Sequence, residues 1–173
     1  MSTYKQSIPQ ADTLMGSMRS MGYSFEAAIA DVIDNSISAN CNVVKLFFPS
    51  EPTDELVVGI LDDGEGMTAD VLFEAMRYGS TDSELERRAN DLGRFGLGMK
   101  SASLSQCRIL TVVSLYADKL SSYSWDFNCI QKRKEWIVKE LSQTEIKSLP
   151  YIDSLLELSH GTLVLWQDFD VLE

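Results

Sequence analysis

Glu55–Met67 reads ELVVGILDDGEGM. Its apolar, β-branched run predicts a buried strand over Leu56–Leu61. The strand runs into Asp62-Asp63-Gly64-Glu65-Gly66-Met67. Taken alone, this is a strand ending in an Asp-Gly turn, which is common. The sharper reading is chemical. An acid at the end of a buried strand can accept from an exocyclic amine. Glycines two and four residues later, Gly64 and Gly66, let a flat ring approach the backbone.

Upstream, Phe25–Ala39 has helical spacing, with Phe25, Ile29, Val32, Ile33 and Ile37 as its apolar stripe. Ser24 suits the N-cap, and Glu26 favours the dipole of the first turn. Asp31, Asp34, Asn35 and Ser38 fall within about a 100° sector on another side. A solvated polar face is the plain reading. Against it, Asp31 and Asp34 repel at i,i+3, and no Lys or Arg lies between Phe25 and Val44 to relieve them. Carboxylate plus amide oxygen suits a hard cation such as Mg²⁺.

Downstream, Leu92–Ser103 reads LGRFGLGMKSAS. Glycines that open a helix present free N–H groups to a phosphate, and the helix dipole adds to the attraction. Lys100 and Ser101 fall in the first turn, within reach of phosphate oxygens. The spacing fits neither a P-loop nor a dinucleotide-binding fingerprint.

The remaining elements follow the same rules. Helices are predicted at Ala11–Met21, Ala69–Tyr78, Gly96–Gln106 and Thr144–Leu149. Strands are predicted at Val43–Phe48, Arg108–Tyr116, Ser121–Asn128, Glu135–Leu141 and Thr162–Phe169. Helices first and a run of strands later favour an α+β layered sandwich over an alternating βαβ fold.

A chain of 173 residues fits one domain with a sizeable core. Its formal charge of −11, from 26 acids and 15 bases, disfavours a broad nucleic-acid footprint but not a local anion site of backbone amides. No apolar run approaches the ~18 residues of a membrane span, and the N-terminus lacks a signal-peptide core. Cys41, Cys107 and Cys129 are widely spaced, which fits free thiols in a reducing cytoplasm. The single histidine, His160, excludes a His-rich metal site within this chain.

Four boxes in order are ADVIDNS at Ala30–Ser36, LDDGEGM at Leu61–Met67, GRFGLGMKSAS at Gly93–Ser103 and GTLVLW at Gly161–Trp166. Together they resemble the ATP-binding domain of the GHKL superfamily, which includes gyrase B, the ninety-kilodalton heat-shock chaperones, histidine kinases and MutL. The wording is most similar to the MORC-type branch. The resemblance implies a Bergerat fold, a two-layer α/β sandwich with a mixed, mostly antiparallel sheet and helices on one face. It implies an N-terminal segment over 1–24, an ATP-binding domain over 25–169 and a lid over about 67–92. It also implies a fragment that lacks a C-terminal transducer domain.

The residue roles are implied in the same way. Asn35 would ligate Mg²⁺, and Asp62 would accept the adenine amine. Gly64, Gly66 and Met67 would form the wall beside the base. Gly93, Gly96, Leu97 and Gly98, with Lys100 and Ser101, would cradle the phosphates. Thr162 would support adenine. The expected activity is Mg²⁺-dependent ATP binding with slow hydrolysis. The expected partner is a second copy of the full-length protein, joined in an ATP-dependent homodimer. Neither a membrane nor direct nucleic-acid binding is expected.

One departure matters. The family's hydrolytic glutamate, four residues before the asparagine, is Asp31 here. Its carboxylate is about 1.5 Å shorter in reach. A shift of ~1 Å can cost on the order of a hundredfold in rate. Asp31 is therefore a base acting through a repositioned water, a weak base or a vestige. The family aspartate three residues after the asparagine is replaced by Ser38. The alternative function is a nucleotide-gated interaction module with negligible hydrolysis. Phosphotransfer to histidine is disfavoured, because no upstream phosphoacceptor helix is expected.

Overall fold

The computed structural model describes residues 2–51, 55–77 and 98–169. Seven helices are described: α1 (Ala11–Arg19), α2 (Phe25–Ser38), α3 (Ala69–Met76), α4 (Gly98–Gln106), α5 (Phe127–Arg133), α6 (Gln143–Lys147) and α7 (Ile152–Leu156). Six strands are described: β1 (Val44–Phe47), β2 (Val58–Asp62), β3 (Cys107–Tyr116), β4 (Lys119–Asp126), β5 (Lys139–Glu140) and β6 (Gly161–Phe169). They form one sheet in the order β1-β2-β6-β3-β4-β5. The α+β sandwich is as expected. The sheet is not mixed: each described pair of neighbouring strands is antiparallel.

Strand parity builds two cores. Val58 and Ile60 of β2, Leu110 and Val112 of β3, and Val164 and Trp166 of β6 face one side. Ala28 and Val32 of α2, Leu72 and Met76 of α3, and Ala102 and Leu104 of α4 cover them. The opposite parity, Leu61, Val113, Leu115, Leu163 and Leu165, packs against Ile146 of α6 with Ile152 and Leu155 of α7. Helices thus cover part of the second face as well, correcting the one-face expectation. The physical reason is that β2, β3 and β6 are apolar at both parities and need cover on both sides.

Two local expectations shift. The predicted strand Ser121–Asn128 stops at Asp126, whose carboxylate accepts from the Cys129 N–H at 3.1 Å and caps α5. Asp126 with Phe127 and Ile130 at i,i+3 was a readable helix start. The predicted strand Glu135–Leu141 shrinks to Lys139–Glu140; α5 and a left-handed Lys134 at φ 56° precede it, and Trp136, Ile137 and Val138 pack against the first core.

α2 starts as expected, with the Ser24 hydroxyl accepting from Ala27 N–H at 3.2 Å. Of the predicted stripe Val32 is fully buried, but the buried line runs through Ala28, Val32 and Ser36 and leaves the two ends of the stripe outside. Phe25 and Ile37 remain 36% and 52% exposed. Small Ala28 lets the helix lie close, and Ser36 turns inward for a polar reason.

Candidate functional site

Asp62 ends β2 on the face covered by α2, one step beyond Ile60. It is 5% exposed. The Ser36 hydroxyl donates to its Oδ2 at 2.8 Å, and the Gly64 N–H donates to Oδ1 at 2.9 Å. A carboxylate has about four lone-pair sites, so acceptor capacity remains for a further donor. Burial raises the Asp62 pKa above the usual carboxylate value, although the hydrogen bonds from Ser36 and Gly64 pull the other way. Asp63, on the opposite parity, has the opposite fate. Its Oδ1 accepts from Val43 N–H at 2.9 Å and Asn42 N–H at 2.7 Å, which lower its pKa and pin the chain before β1.

Val32, Asn35, Ser36 and Ala39 of the α2 region meet Asp62, Thr162 and Val164 around a cavity of about 40 Å³. Met67, Leu72, Ala75 and Met76 form another wall, and Val112 the floor. Three expected residues from separate boxes, Asn35, Asp62 and Thr162, therefore share one cavity with Met67. The lining is mostly apolar around one buried carboxylate, a combination that suits a flat base carrying an amine.

Gly64 and Gly66 sit in the loop as expected, but their missing side chains are filled by protein. A Cβ on Gly64 would lie 2.9 Å from both Ala39 O and Asp62 Oδ1. The glycine lets the loop rest on the end of α2, where Glu65 N–H donates to Ala39 O at 3.0 Å. His160 joins the same contact, with Nδ1 2.5 Å from Gly64 O.

Asp31 is half-buried one turn before Asn35 and does not line the cavity. Among the described residues no group of three His, Cys, Asp or Glu could hold a metal. Asn35, the expected Mg²⁺ ligand, lines the cavity and offers an amide oxygen, a donor type that suits that ion. Gly93, Gly96, Leu97 and most of the expected lid over 67–92 lie outside the described residues.

Gly98 opens α4, and Lys100 and Ser101 are buried in its first turn. Lys100 departs from the expected phosphate contact. Its Nζ donates to Ala75 O at 2.9 Å and to Arg77 O. Trp125 Nε1 donates to Met76 O between them at 2.7 Å. Two long side chains thus satisfy carbonyls that α3 leaves open at its C-terminus.

Burial pushes the Lys100 ammonium from 10.5 to about 8. Between those values the unfolded chain holds a proton that the folded domain has released, so Lys100 makes stability rise with pH. Below about pH 8 the buried charge is retained at a cost. Thermal unfolding of wild type and Lys100→Met across that window is expected to show the wild type gaining on the variant. A constant difference would remove Lys100 from this titration.

Sequence reasoning missed Ser36 and Ser114. Ser36 follows the buried positions Ala28 and Val32 at i+4 steps. Ser114 follows Leu110 and Val112 at strand parity. A polar residue on an otherwise apolar face was the readable signal in both.

The family model described as "Histidine kinase-, DNA gyrase B-, and HSP90-like ATPase" matches residues 23–162. The MORC family CW-type zinc finger protein 3 of Mus musculus is 29% identical over 79 residues, 45% of this chain and 8% of that protein. The chain thus aligns with a small part of this relative. The family match takes in α2, the Asp62 loop and the start of β6, which bring Asn35, Asp62 and Thr162 to the cavity. On that match, the chain belongs to the histidine kinase-, DNA gyrase B- and HSP90-like ATPase family.

Proposed function

We propose that this domain binds ATP with Mg²⁺ in the cavity between α2, β2 and β6, and hydrolyses it slowly. The observation that carries the reading is the buried Asp62 carboxylate, held by Ser36 and Gly64 with acceptor capacity turned to an apolar cavity. It would take the exocyclic amine of adenine. Thr162 flanks it, and Val32, Val112 and Val164 offer apolar walls to the ring.

Asn35 would present its amide oxygen to Mg²⁺, which supplies charge neutralisation to the phosphates when bound. Asp31, on the same side of α2, would take a proton from the attacking water. On this reading, binding would be coupled to closure of segment 67–92 and to dimerisation of the full-length protein. Neither a membrane nor a nucleic acid enters this reading. No helix among the described residues is long and apolar enough to cross a membrane.

A second reading keeps the binding and drops the chemistry. It is favoured by Asp31, which is short and lies outside the cavity lining. Calorimetry with ATP, with and without Mg²⁺, together with phosphate release decides between them. Mg²⁺-dependent binding is expected in wild type and in Asp31→Asn. Turnover is expected to fall by at least about a hundredfold in the variant, the size of a lost general base. Equal phosphate release by both would remove Asp31 from the mechanism, and absence of binding would overturn both readings.

A further inference from the structure

We infer that Ser114 is a positioning residue for base recognition, acting through Met67 and Thr162. The inference rests on the ATP-binding reading above and deepens it. Asp62 is the Cα partner of Thr162 across β2–β6, and Thr162 is the partner of Ser114 across β6–β3. The next row on the same face is Ile60, Val164 and Val112. A polar row therefore crosses the sheet at the cavity end of an otherwise apolar face. Asp62 and Thr162 line the cavity, and Ser114 stands behind them, fully buried.

Ser114 Oγ accepts from the Met67 N–H at 2.7 Å, fastening the cavity wall to β3. The same oxygen lies 3.3 Å from Gly161 O and 3.3 Å from Thr162 Oγ1. Its single proton serves one of these at a time. If it goes to Gly161 O, Thr162 can donate to Ser114 and keeps its own lone pairs for a ligand. If it goes to Thr162 Oγ1, the Thr162 proton is free to turn to the cavity as a donor. By donating to Thr162 Oγ1, Ser114 leaves Thr162 its own proton to present beside Asp62, and it holds the Met67 wall in register with both. An acceptor at Asp62 next to a donor at Thr162 matches a base with an exocyclic amine beside an unprotonated ring nitrogen. It mismatches one with a carbonyl beside a ring N–H.

The test measures affinities of wild type, Ser114→Ala and Ser114→Thr for ATP and ITP in the presence of Mg²⁺. Wild type is expected to prefer ATP. Ser114→Ala is expected to lose about five- to tenfold in ATP affinity, the size of one net hydrogen bond, with a smaller loss for ITP. The ATP-to-ITP ratio therefore falls, and Ser114→Thr, which keeps the hydroxyl, restores it. A purely structural role would lower both affinities equally and leave the ratio unchanged. That result, or an unchanged ATP affinity in Ser114→Ala, overturns the inference. Should Ser114→Ala fail to fold, Ser114→Cys, a weaker acceptor, is expected to give a reduced ratio, and a wild-type ratio overturns the inference. Wild type that binds neither nucleotide overturns the ATP reading itself, a result distinct from all of these.

Discussion

Asp62→Ala is expected to weaken ATP binding by roughly five- to 150-fold or more. Leaving the adenine amine buried without its acceptor costs about 1–3 kcal/mol, roughly five- to 150-fold in affinity. The variant also leaves the Ser36 hydroxyl and Gly64 N–H facing the space the carboxylate filled. Their loss of a common anchor loosens the floor and the loop together. Fold stability responds differently. Burial already disfavours the Asp62 charge, so removing it relieves a cost in the unliganded domain. The relieved charge and the two orphaned donors oppose each other in the fold, so the loss of binding is expected to exceed any fall in melting temperature, a separation that a general unfolding defect would not give. Calorimetry showing undiminished ATP affinity in Asp62→Ala would sink the adenine assignment.

The pH dependence of the wild type follows from the same group. The ligand's donor requires the ionised carboxylate, so affinity is full above the folded pKa of Asp62 and falls as pH drops through it. That pKa is raised above the ordinary 3.8, so weakening begins at a higher pH than for a solvated aspartate. The unliganded fold, by contrast, takes up this proton more readily than the unfolded chain. At Asp62 acid therefore favours the unliganded fold while it weakens binding.

Gly66→Ala is expected to lower stability by about 3 kcal/mol or more. Gly66 sits at φ +71°, and a Cβ there would lie 2.2 Å from Leu115 O. A left-handed conformation costs an alanine roughly 1–2 kcal/mol. The overlap is with backbone, so no rotamer relieves it. The loop must lift from β3, which also breaks the Met67 N–H bond to Ser114, worth about 1 kcal/mol. For a chain of this size, each kcal/mol lowers the melting temperature by about 2–4 °C, so a fall near ten degrees is expected. Gly22→Ala is the control, at φ +74° with nothing within 4 Å of its Cβ. Thermal unfolding that gives equal losses for the two variants would show that the Leu115 contact adds nothing.

The fold and much of the cavity were legible because their signals are local. The apolar run before Asp62 made a buried strand, and parity then carried Asp62 to the face that α2 covers. Four ordered boxes identified the family, and three of them supply the lining residues Asn35, Asp62, Met67 and Thr162. The short helix α5 escaped because the alternation of Tyr123 and Trp125 in β4 continues into Phe127, where only the Asp126 cap marks the change.

The sequence by itself picked out residues that meet at the cavity: a carboxylate ending a strand, an amide on a helix face and a threonine opening β6. Tertiary structure alone decided how they are held. It turned α2 so that Ser36, not Ile37, is buried, and so gave Asp62 a donor 26 positions away. It sent the Lys100 amine to the carbonyls ending α3. It set Ser114 between Met67 and Thr162, 47 and 48 positions distant. Periodicity reports which side of one element meets the core. It carries no information about which atom of another element waits there, because strand pairing and helix docking bring those atoms together only when the whole sheet has closed.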